Sequence, residues 1–280
     1  MTVSICSGLV FPVKRKVMKR IILAHGLKRS GLHGILNWLQ AHGSFHFFNN
    51  LIPKLRVPAD DGKIPEPEHF DEWLRSELAK RRTKLIKGFS RKKFRAAAFF
   101  GIKELIGLLE DHELSTRPFT NPPCDVCNVL ILRDPENLFS SRIHKRELKP
   151  GSPIFPCTNN EHMQRVVRLW KKHAREFLGE TNELEHKTCI YYNRWFAERD
   201  YRMRISTQMG MPFTDSGFGV FSGYGGGSSF DGRYQGEVSK LPVLSRRDNL
   251  NDRNRALLDE ILADEEMMEL AAQIEAFTQA

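Results

Sequence analysis

Short apolar runs alternate along the chain with segments that have helical spacing. Apolar runs of strand length lie at 21–24, 44–49, 103–109, 127–132 and 188–192. The run at 103–109 also fits a short helix by spacing alone, and we favour a strand because a turn-rich loop follows it. Strands that alternate with helices are typical of a parallel sheet with helices on both faces. The pattern therefore predicts a three-layer α/β fold with a central parallel sheet of about five strands.

Helices are predicted where apolar residues recur at intervals of three and four. The first such segment carries Leu32, Ile35, Leu36 and Leu39 on one face. The other predicted helices lie at Phe70–Arg82, from near Pro135 onward, around 163–177, from the last strand to Met209, and, as one or two helices, at 257–274.

The first strand, the loop after it and the first helix form one unit that suits an anion. Backbone N–H groups of such a loop, together with a helix N-terminus, point at one anion. Between Gly26 and Gly31 the loop also carries Lys28 and Arg29, which add full positive charges. The sequence predicts a phosphate-binding loop here. The alternative is a plain strand-to-helix turn with solvated basic residues.

The residues after Gly31 narrow the choice of ligand. In the phosphate loop of nucleotide triphosphatases the sequence continues Gly-Lys-Ser/Thr, with the lysine on the outer phosphates and the hydroxyl on magnesium. Here Leu32 and His33 follow Gly31, so both of those groups are missing. An ATPase or kinase of the common type is therefore disfavoured.

A second group of residues follows the apolar run at 127–132. Ligands of parallel sheets bind at the carboxyl ends of the strands, and Arg133 lies at that position. Ser141 follows eight residues later, two turns into the next predicted helix, with Ser140 as the neighbouring alternative. A guanidinium binds phosphate strongly and a hydroxyl adds a neutral donor. The alternative is an ion pair between Arg133 and an acid at the sheet edge, such as Asp134.

These motifs resemble those of the sulfotransferase family. Arg29, Ser30 and Gly31 agree with the family's Pro-Lys/Arg-Ser-Gly-Thr-Thr loop, whereas Lys28 replaces its proline and Leu32 and His33 replace its threonines. The stretch LRDPENLFSSR is similar to the family's Arg and Ser motif. The stretch from Ile190 is similar to a third family segment, with Asn193 in place of the usual glutamate. The resemblance covers roughly residues 19–275 in order, and it is sharp in the first two motifs only.

The resemblance implies a P-loop-like fold and an enzyme that uses 3′-phosphoadenylyl sulfate without a metal. It assigns the 3′-phosphate to Arg133 and Ser141. It also implies that the glycine-rich loop at 223–230 folds over the nucleotide, although that loop lacks the family's Arg-Lys-Gly pattern. The residues that it assigns to the 5′-phosphosulfate are Gly26, Lys28, Arg29, Ser30, Gly31, Leu32 and His33.

Transfer of a sulfuryl group requires a base that takes the proton of the acceptor hydroxyl. Family members use histidine or glutamate, and no local motif identifies the residue in this chain. Glu110 and His112 are the candidates because they follow a predicted strand at its carboxyl end. His25 and His33, which flank the loop, come next.

Composition limits the partners and the compartment. The net charge of +9 suits an anionic ligand, and 40% hydrophobic residues without a membrane-length apolar run predict no membrane span. The basic segment at 80–95 has few interleaved aromatic residues, so no nucleic acid is expected. Five cysteines without disulfide-like spacing predict a cytoplasmic protein. Cys124 and Cys127 form one CxxC, which does not complete a zinc site, so no metal is predicted.

The predicted organisation is an N-terminal extension at 1–18, with Met18 as a possible start, and one α/β domain at 19–280. The acceptor is expected to be a small molecule or a glycan, and the sequence does not indicate an oligomeric state. Two other functions stay open: an atypical P-loop kinase, and a non-catalytic nucleotide- or polyanion-binding protein with the same fold.

Overall fold

The computed structural model describes residues 20–48, 104–115, 125–148, 160–220 and 241–279. The other residues lie outside the described part of the chain. They include several predicted features: the extension at 1–18, the helix at Phe70–Arg82, the basic segment at 80–95, Cys124 and the glycine-rich loop at 223–230.

The five predicted strands are confirmed, and they form one parallel sheet. Their bounds are β1 (Arg20–Gly26), β2 (Phe45–Phe48), β3 (Glu104–Glu110), β4 (Asp125–Leu132) and β5 (Lys187–Tyr191). The strand order is β2-β3-β1-β4-β5, and each neighbouring pair is parallel. The strand preferred for 103–109 is therefore correct, and the most apolar strands lie at the centre of the sheet.

The helices described in the structure follow the predicted spacing. They are α1 (Leu32–Gln40), α2 (Pro135–Leu148), α3 (Asn160–Leu178), α4 (Tyr192–Ala197), α5 (Arg199–Gln208), α6 (Asp252–Leu262) and α7 (Glu265–Gln279). A short 3-10 helix covers Arg246–Asn249. The segment that leads to Met209 is two helices because Glu198 has an extended backbone, with φ −120° and ψ 117°.

Helices cover both faces of the sheet, as the three-layer prediction requires. Successive residues of β1 point to opposite faces, yet all of them from Ile21 to Gly26 are buried. β3 shows the same continuous burial from Leu105 to Leu109. On β4 the buried residues are concentrated toward the carboxyl end, and α3 packs against this strand. The most protected part of the core therefore supports the edge of the sheet where the strands end.

The register of the strands brings three chain segments to one place. Gly26 of β1 pairs with Glu110 of β3 on one side and with Ile131 of β4 on the other. The residues that follow these three strands therefore leave the sheet side by side at its carboxyl edge. Among the described helices, none is long and apolar enough to cross a membrane.

Candidate functional site

The loop between β1 and α1 has a tight, left-handed course. Arg29 has φ 78° and Gly31 has φ 77°, and the Ser30 N–H donates to Leu27 O at 3.0 Å. Gly31 precedes α1, whose N-terminus has no side-chain cap and no acidic residue in its first turn. Uncapped N–H groups at a helix N-terminus attract an anion. The loop therefore keeps the groups that an anion site needs.

The two glycines of the loop are required by packing. A Cβ on Gly26 would lie 2.5 Å from Leu32 Cδ2. A Cβ on Gly31 would lie 1.9 Å from Tyr192 Cε2, and the positive φ of Gly31 also disfavours any other residue. Tyr192, the first residue of α4, thus packs directly against the loop.

Asp111, directly after β3, holds one end of the loop. Its Oδ1 accepts from the Lys28 N–H at 2.9 Å and from Arg142 Nη2 at 2.5 Å, and its Oδ2 lies 3.5 Å from Lys28 Nζ. Burial alone would raise the pKa of this carboxyl, but the charges of Arg142 and Lys28 outweigh burial and lower it to about 2. Asp111 is therefore an ionised, buried partner of the loop.

Arg133, directly after β4, holds the other end of the loop. Its Nη1 donates to Arg29 O at 2.9 Å and lies 3.4 Å from Ser141 Oγ, and its Nη2 donates to Val243 O. The guanidinium also lies 4.9 Å from the centre of the Tyr192 ring. The structure thus places Arg133 next to Ser141, which lies in the second turn of α2. Burial lowers the pKa of Arg133, and no carboxylate of the described residues forms an ion pair with it.

Several polar atoms in these two motifs have no hydrogen-bond partner among the described residues. Three of them are groups that can donate, Ser30 Oγ, Ser140 Oγ and Arg133 Nε, and their side chains are buried. Arg142 Nε and one acceptor, Asp134 Oδ2, are unpartnered within the described part of the chain as well. A buried donor without a partner is costly, and such atoms are rare away from ligand sites. An oxygen-rich anion beside the loop would supply the missing acceptors. The donor set therefore fits a phosphate or sulfate group.

The two candidate bases lie at the carboxyl edge of the sheet, on either side of Asp111. Burial raises the pKa of Glu110, and the nearby Lys28 charge offsets part of that effect. Burial lowers the pKa of His112. The first shift makes Glu110 a stronger base whose pKa is nearer to neutral pH, whereas the second keeps His112 in its neutral, proton-accepting form but makes it a weaker base. The charge of Arg29 also lowers the pKa of Glu110, so the two side chains are within electrostatic reach of each other.

The other predicted residues have mainly structural contacts. His25 is buried and its Nε2 lies 3.0 Å from Oδ1 of Asn128, whose register partner is Leu23, so the ring points back along β1 and away from the loop. The His33 ring packs edge-on against Phe47 with 6.3 Å between the ring centres. The Leu32 side chain is in the core, which leaves only its backbone N–H to face a ligand.

Asn193, at the position where the resembling family has glutamate, is the second residue of α4 and lies beside the turn that precedes α2. Its Oδ1 accepts from the Asp134 N–H at 3.4 Å. The residue at this position therefore connects α4 to the turn that follows Arg133.

Sequence reasoning missed Asp111 and Tyr192. Asp111 lies between the candidate bases Glu110 and His112, and its position directly after an apolar strand is the feature of the sequence that points to it. Nothing in the neighbouring sequence indicates that Asp111 has a φ of 57° or that it contacts a loop residue 83 positions earlier. Tyr192 was part of the third similar segment, but nothing in the sequence indicates its contact with Gly31.

Metal ligands are not grouped in the described part of the chain. No cluster of three or more His, Cys, Asp or Glu side chains there has the arrangement to hold a metal ion. Cys127 is a half-buried free thiol, and the other cysteine of the CxxC pair lies outside the described residues.

Comparison with known proteins gives similarities to solved structures alone. No protein-family model matches the chain, and no curated protein matches it. The sulfotransferase domain from the Synechococcus PCC 7002 olefin synthase is similar over 94% of this chain and 96% of its own, at 13% identity and a TM-score of 0.47. The sulfotransferase domain from the curacin biosynthetic pathway is similar over 92% of this chain and 98% of its own, at 14% identity and a TM-score of 0.41. At these values the similarities do not decide what this chain binds.

His173 of α3 supports the segment that carries the candidate bases. It is 1% exposed, and its Nε2–H donates to His112 O at 3.3 Å. Burial lowers the pKa of this imidazole to about 4, from 6.5. As the pH falls through 6.5, the unfolded chain therefore takes up a proton at this position, whereas His173 in the folded protein stays neutral.

We expect His173 to make the protein less stable in mild acid. Between pH 6.5 and pH 4 the unfolded chain binds a proton at this position and the folded chain does not, which removes about 3 kcal/mol from the free energy of unfolding. His173→Gln keeps a donor but does not titrate, so this variant should lose correspondingly less stability over that range. Urea unfolding at several pH values above 4 measures the difference, and the contribution of Asp111, which begins near its unfolded pKa of 3.8, cancels because both proteins contain it. Equal losses in both proteins would contradict the assignment.

Proposed function

We propose that this protein is a sulfotransferase that moves a sulfuryl group from 3′-phosphoadenylyl sulfate to an acceptor hydroxyl. One observation carries the proposal. Arg133 Nη1 lies 2.9 Å from the carbonyl of Arg29 and 3.4 Å from Ser141 Oγ. The two sequence motifs that resemble the family are 104 residues apart in the chain, and this one guanidinium joins them.

The nucleotide would be held at two points. The loop N–H groups and the N-terminus of α1 would bind the 5′-phosphosulfate, because they combine free donors with the positive end of the helix dipole. Arg133 and Ser141 would bind the 3′-phosphate. The Nη atoms of Arg133 already donate to the carbonyls of Arg29 and Val243, so its Nε and the Ser141 hydroxyl are the groups left for the phosphate, with the Ser140 hydroxyl as the neighbouring alternative.

The side chains around the loop have distinct tasks in this reaction. When bound, 3′-phosphoadenylyl sulfate supplies the activated sulfuryl group. Arg29, Lys28 and the N-terminus of α1 stabilise the negative charge that develops on the phosphate side of the breaking S–O bond. Glu110 or His112 takes the proton of the acceptor hydroxyl as the new S–O bond forms. The acceptor would be a small molecule or a glycan.

Asp111 argues against a magnesium-dependent kinase at this site. A metal-binding carboxylate would have to be available at the end of the strand beside the loop. Asp111 is already paired with Arg142 and Lys28. Magnesium would have to displace two cations from a buried position. The observed pairing therefore makes Asp111 a poor magnesium ligand, so the kinase alternative would have to use Glu110 or Asp134 instead.

The nucleotide preference tests the proposal directly. Adenosine 3′,5′-bisphosphate should raise the thermal melting temperature in a concentration-dependent way, and EDTA should make no difference, since only the folded protein binds the ligand. ATP with magnesium is the matched comparison. Stabilisation by ATP with magnesium but not by the bisphosphate would contradict the sulfotransferase assignment. Binding of the bisphosphate without any sulfuryl transfer to a panel of hydroxyl acceptors would favour the non-catalytic binding protein.

The 3′-phosphate contacts are tested by Arg133→Ala and by a pair of serine variants. Loss of the charged contact should weaken bisphosphate binding by roughly 1.5–3 kcal/mol. The binding of adenosine 5′-phosphate should be weakened less, because this nucleotide is affected only through the contact between Arg133 and the loop. Ser141→Ala should weaken bisphosphate binding about three- to tenfold, with Ser140→Ala as the neighbouring control that changes it less. Titration calorimetry with both nucleotides measures these losses. An equal loss for the two nucleotides would mean that Arg133 acts only on the loop, and a larger effect at Ser140 would exchange the two serines.

The base is tested by Glu110→Gln and His112→Asn. The variant that lacks the base should turn over about 10² times more slowly or worse, the usual size of a general-base contribution. Its activity should also lose the fall toward acid, because the group whose protonation stops the reaction is gone. Turnover is measured as release of adenosine 3′,5′-bisphosphate in the presence of an acceptor, and bisphosphate affinity is the control for an intact site. Normal turnover in both variants would exclude these residues and make His33 the next candidate.

A further inference from the structure

Asp111 uses every polar group it has to join separate parts of the site. Its carboxylate contacts the amide and the ammonium of Lys28 and the guanidinium of Arg142. Its N–H donates to Gly26 O at 3.0 Å. Its carbonyl accepts from Arg165 Nη2 at 3.1 Å. One residue thus connects β1, the loop, α2 and α3.

The backbone of Asp111 is in a conformation that few residues adopt. Its φ of 57° is in the left-handed region, which aspartate tolerates better than most residues do. This turn directs the carboxylate toward the Lys28 amide instead of letting it continue the direction of β3. Contacts with four residues, Lys28, Arg142, Gly26 and Arg165, hold this conformation, and the residue is only 8% exposed.

Arg142 depends on Asp111 for its charge balance. It is 4% exposed, and within the described part of the chain Asp111 is the acid at ion-pair distance from it. Its positive charge lowers the pKa of both Arg29 and Glu110. Without the carboxylate, a buried guanidinium would repel the two basic residues of the loop.

We propose that Asp111 is a positioning residue for the phosphate loop at 26–31: it fixes the loop through the Lys28 amide and balances Arg142 beneath it. This inference rests on the proposed function, because it assigns a role within that nucleotide site. The loop then has its binding shape before the ligand arrives, so less of the binding free energy goes into ordering the loop.

Asp111→Asn is the first test. The variant keeps the shape of the side chain but removes its charge, so Arg142 is left without its carboxylate. Amide hydrogen exchange in the peptide that contains residues 26–31 should become at least tenfold faster. The dissociation constant for adenosine 3′,5′-bisphosphate should rise at least tenfold.

Asp264→Asn is the matched control. Asp264 likewise accepts from one backbone N–H, that of Met267 at 2.9 Å, and forms an ion pair with one lysine, Lys171, at 2.9 Å. It lies at the start of α7, away from the loop. The control should lose global stability without faster exchange in the loop and without a change in bisphosphate affinity.

Lys28→Ala gives a second, milder variant in case Asp111→Asn does not fold. It removes the ammonium but keeps the backbone N–H that donates to Asp111, and it leaves the pair of Asp111 and Arg142 intact. Exchange in the loop should therefore stay within about threefold of the original protein. Loop exchange as fast as that expected of Asp111→Asn would mean that the lysine ammonium, and not Asp111, holds the loop.

The outcomes separate this inference from the proposed function. Unchanged loop exchange in Asp111→Asn, with only a loss of global stability as in the control, overturns the positioning role. Faster exchange with unchanged bisphosphate affinity overturns it as well. If the original protein does not bind the bisphosphate, the proposed function fails. The hydrogen-exchange comparison still tests whether Asp111 fixes the loop.

Discussion

The in-register pairing of β1 with β3 and β4 is the constraint on which the rest of the site depends. Because Gly26 lies level with Glu110 and Ile131, the residue after each neighbouring strand reaches the loop within one or two positions. Asp111 reaches it from one side and Arg133 from the other. A shift of either strand by one residue would exchange the faces of its side chains and separate these groups. The continuous burial of β1 and β3 on both faces fixes that register.

The site concentrates positive charge in a buried place. Arg133 and Arg142 are both nearly inaccessible, and Lys28 and Arg29 lie beside them. Asp111, Asp134 and Glu110, whose pKa burial raises, are the acids whose charges act on this group. Such an arrangement costs stability, because buried cations without full compensation are expensive. Proteins keep costly arrangements of this kind mainly where a ligand completes them. The excess of cations is therefore an argument for an anionic ligand that does not rely on any similarity to other proteins.

The sheet could be predicted from the sequence because its signals are local. Apolar runs such as 127–132 and helix signals such as Pro135 act over a few residues, and the structure has a strand and a helix at those places. The proximity of Arg133 and Ser141 is also local, because Arg133 follows the end of β4 and Ser141 lies eight residues later on the next helix. The hold of Asp111 on Lys28 could not be predicted, since it depends on a left-handed residue and on strand order. Strand order is a property of the whole sheet.

The loop itself shows why its two anchors matter. Where the resembling family has two threonine hydroxyls, this chain has Leu32, which is in the core, and His33, which packs against Phe47. Anion binding at α1 must then rely on backbone N–H groups, whose directions are set by the conformation of the main chain alone. Two left-handed residues, Arg29 and Gly31, create that conformation, and a left-handed arginine is unfavourable unless its surroundings hold it. Arg133 holds Arg29 by donating a hydrogen bond to its carbonyl, and Asp111 holds the preceding residue by accepting a hydrogen bond from the Lys28 N–H. A loop that lacks these two hydroxyls thus depends on the residues after the neighbouring strands to keep its amides in place.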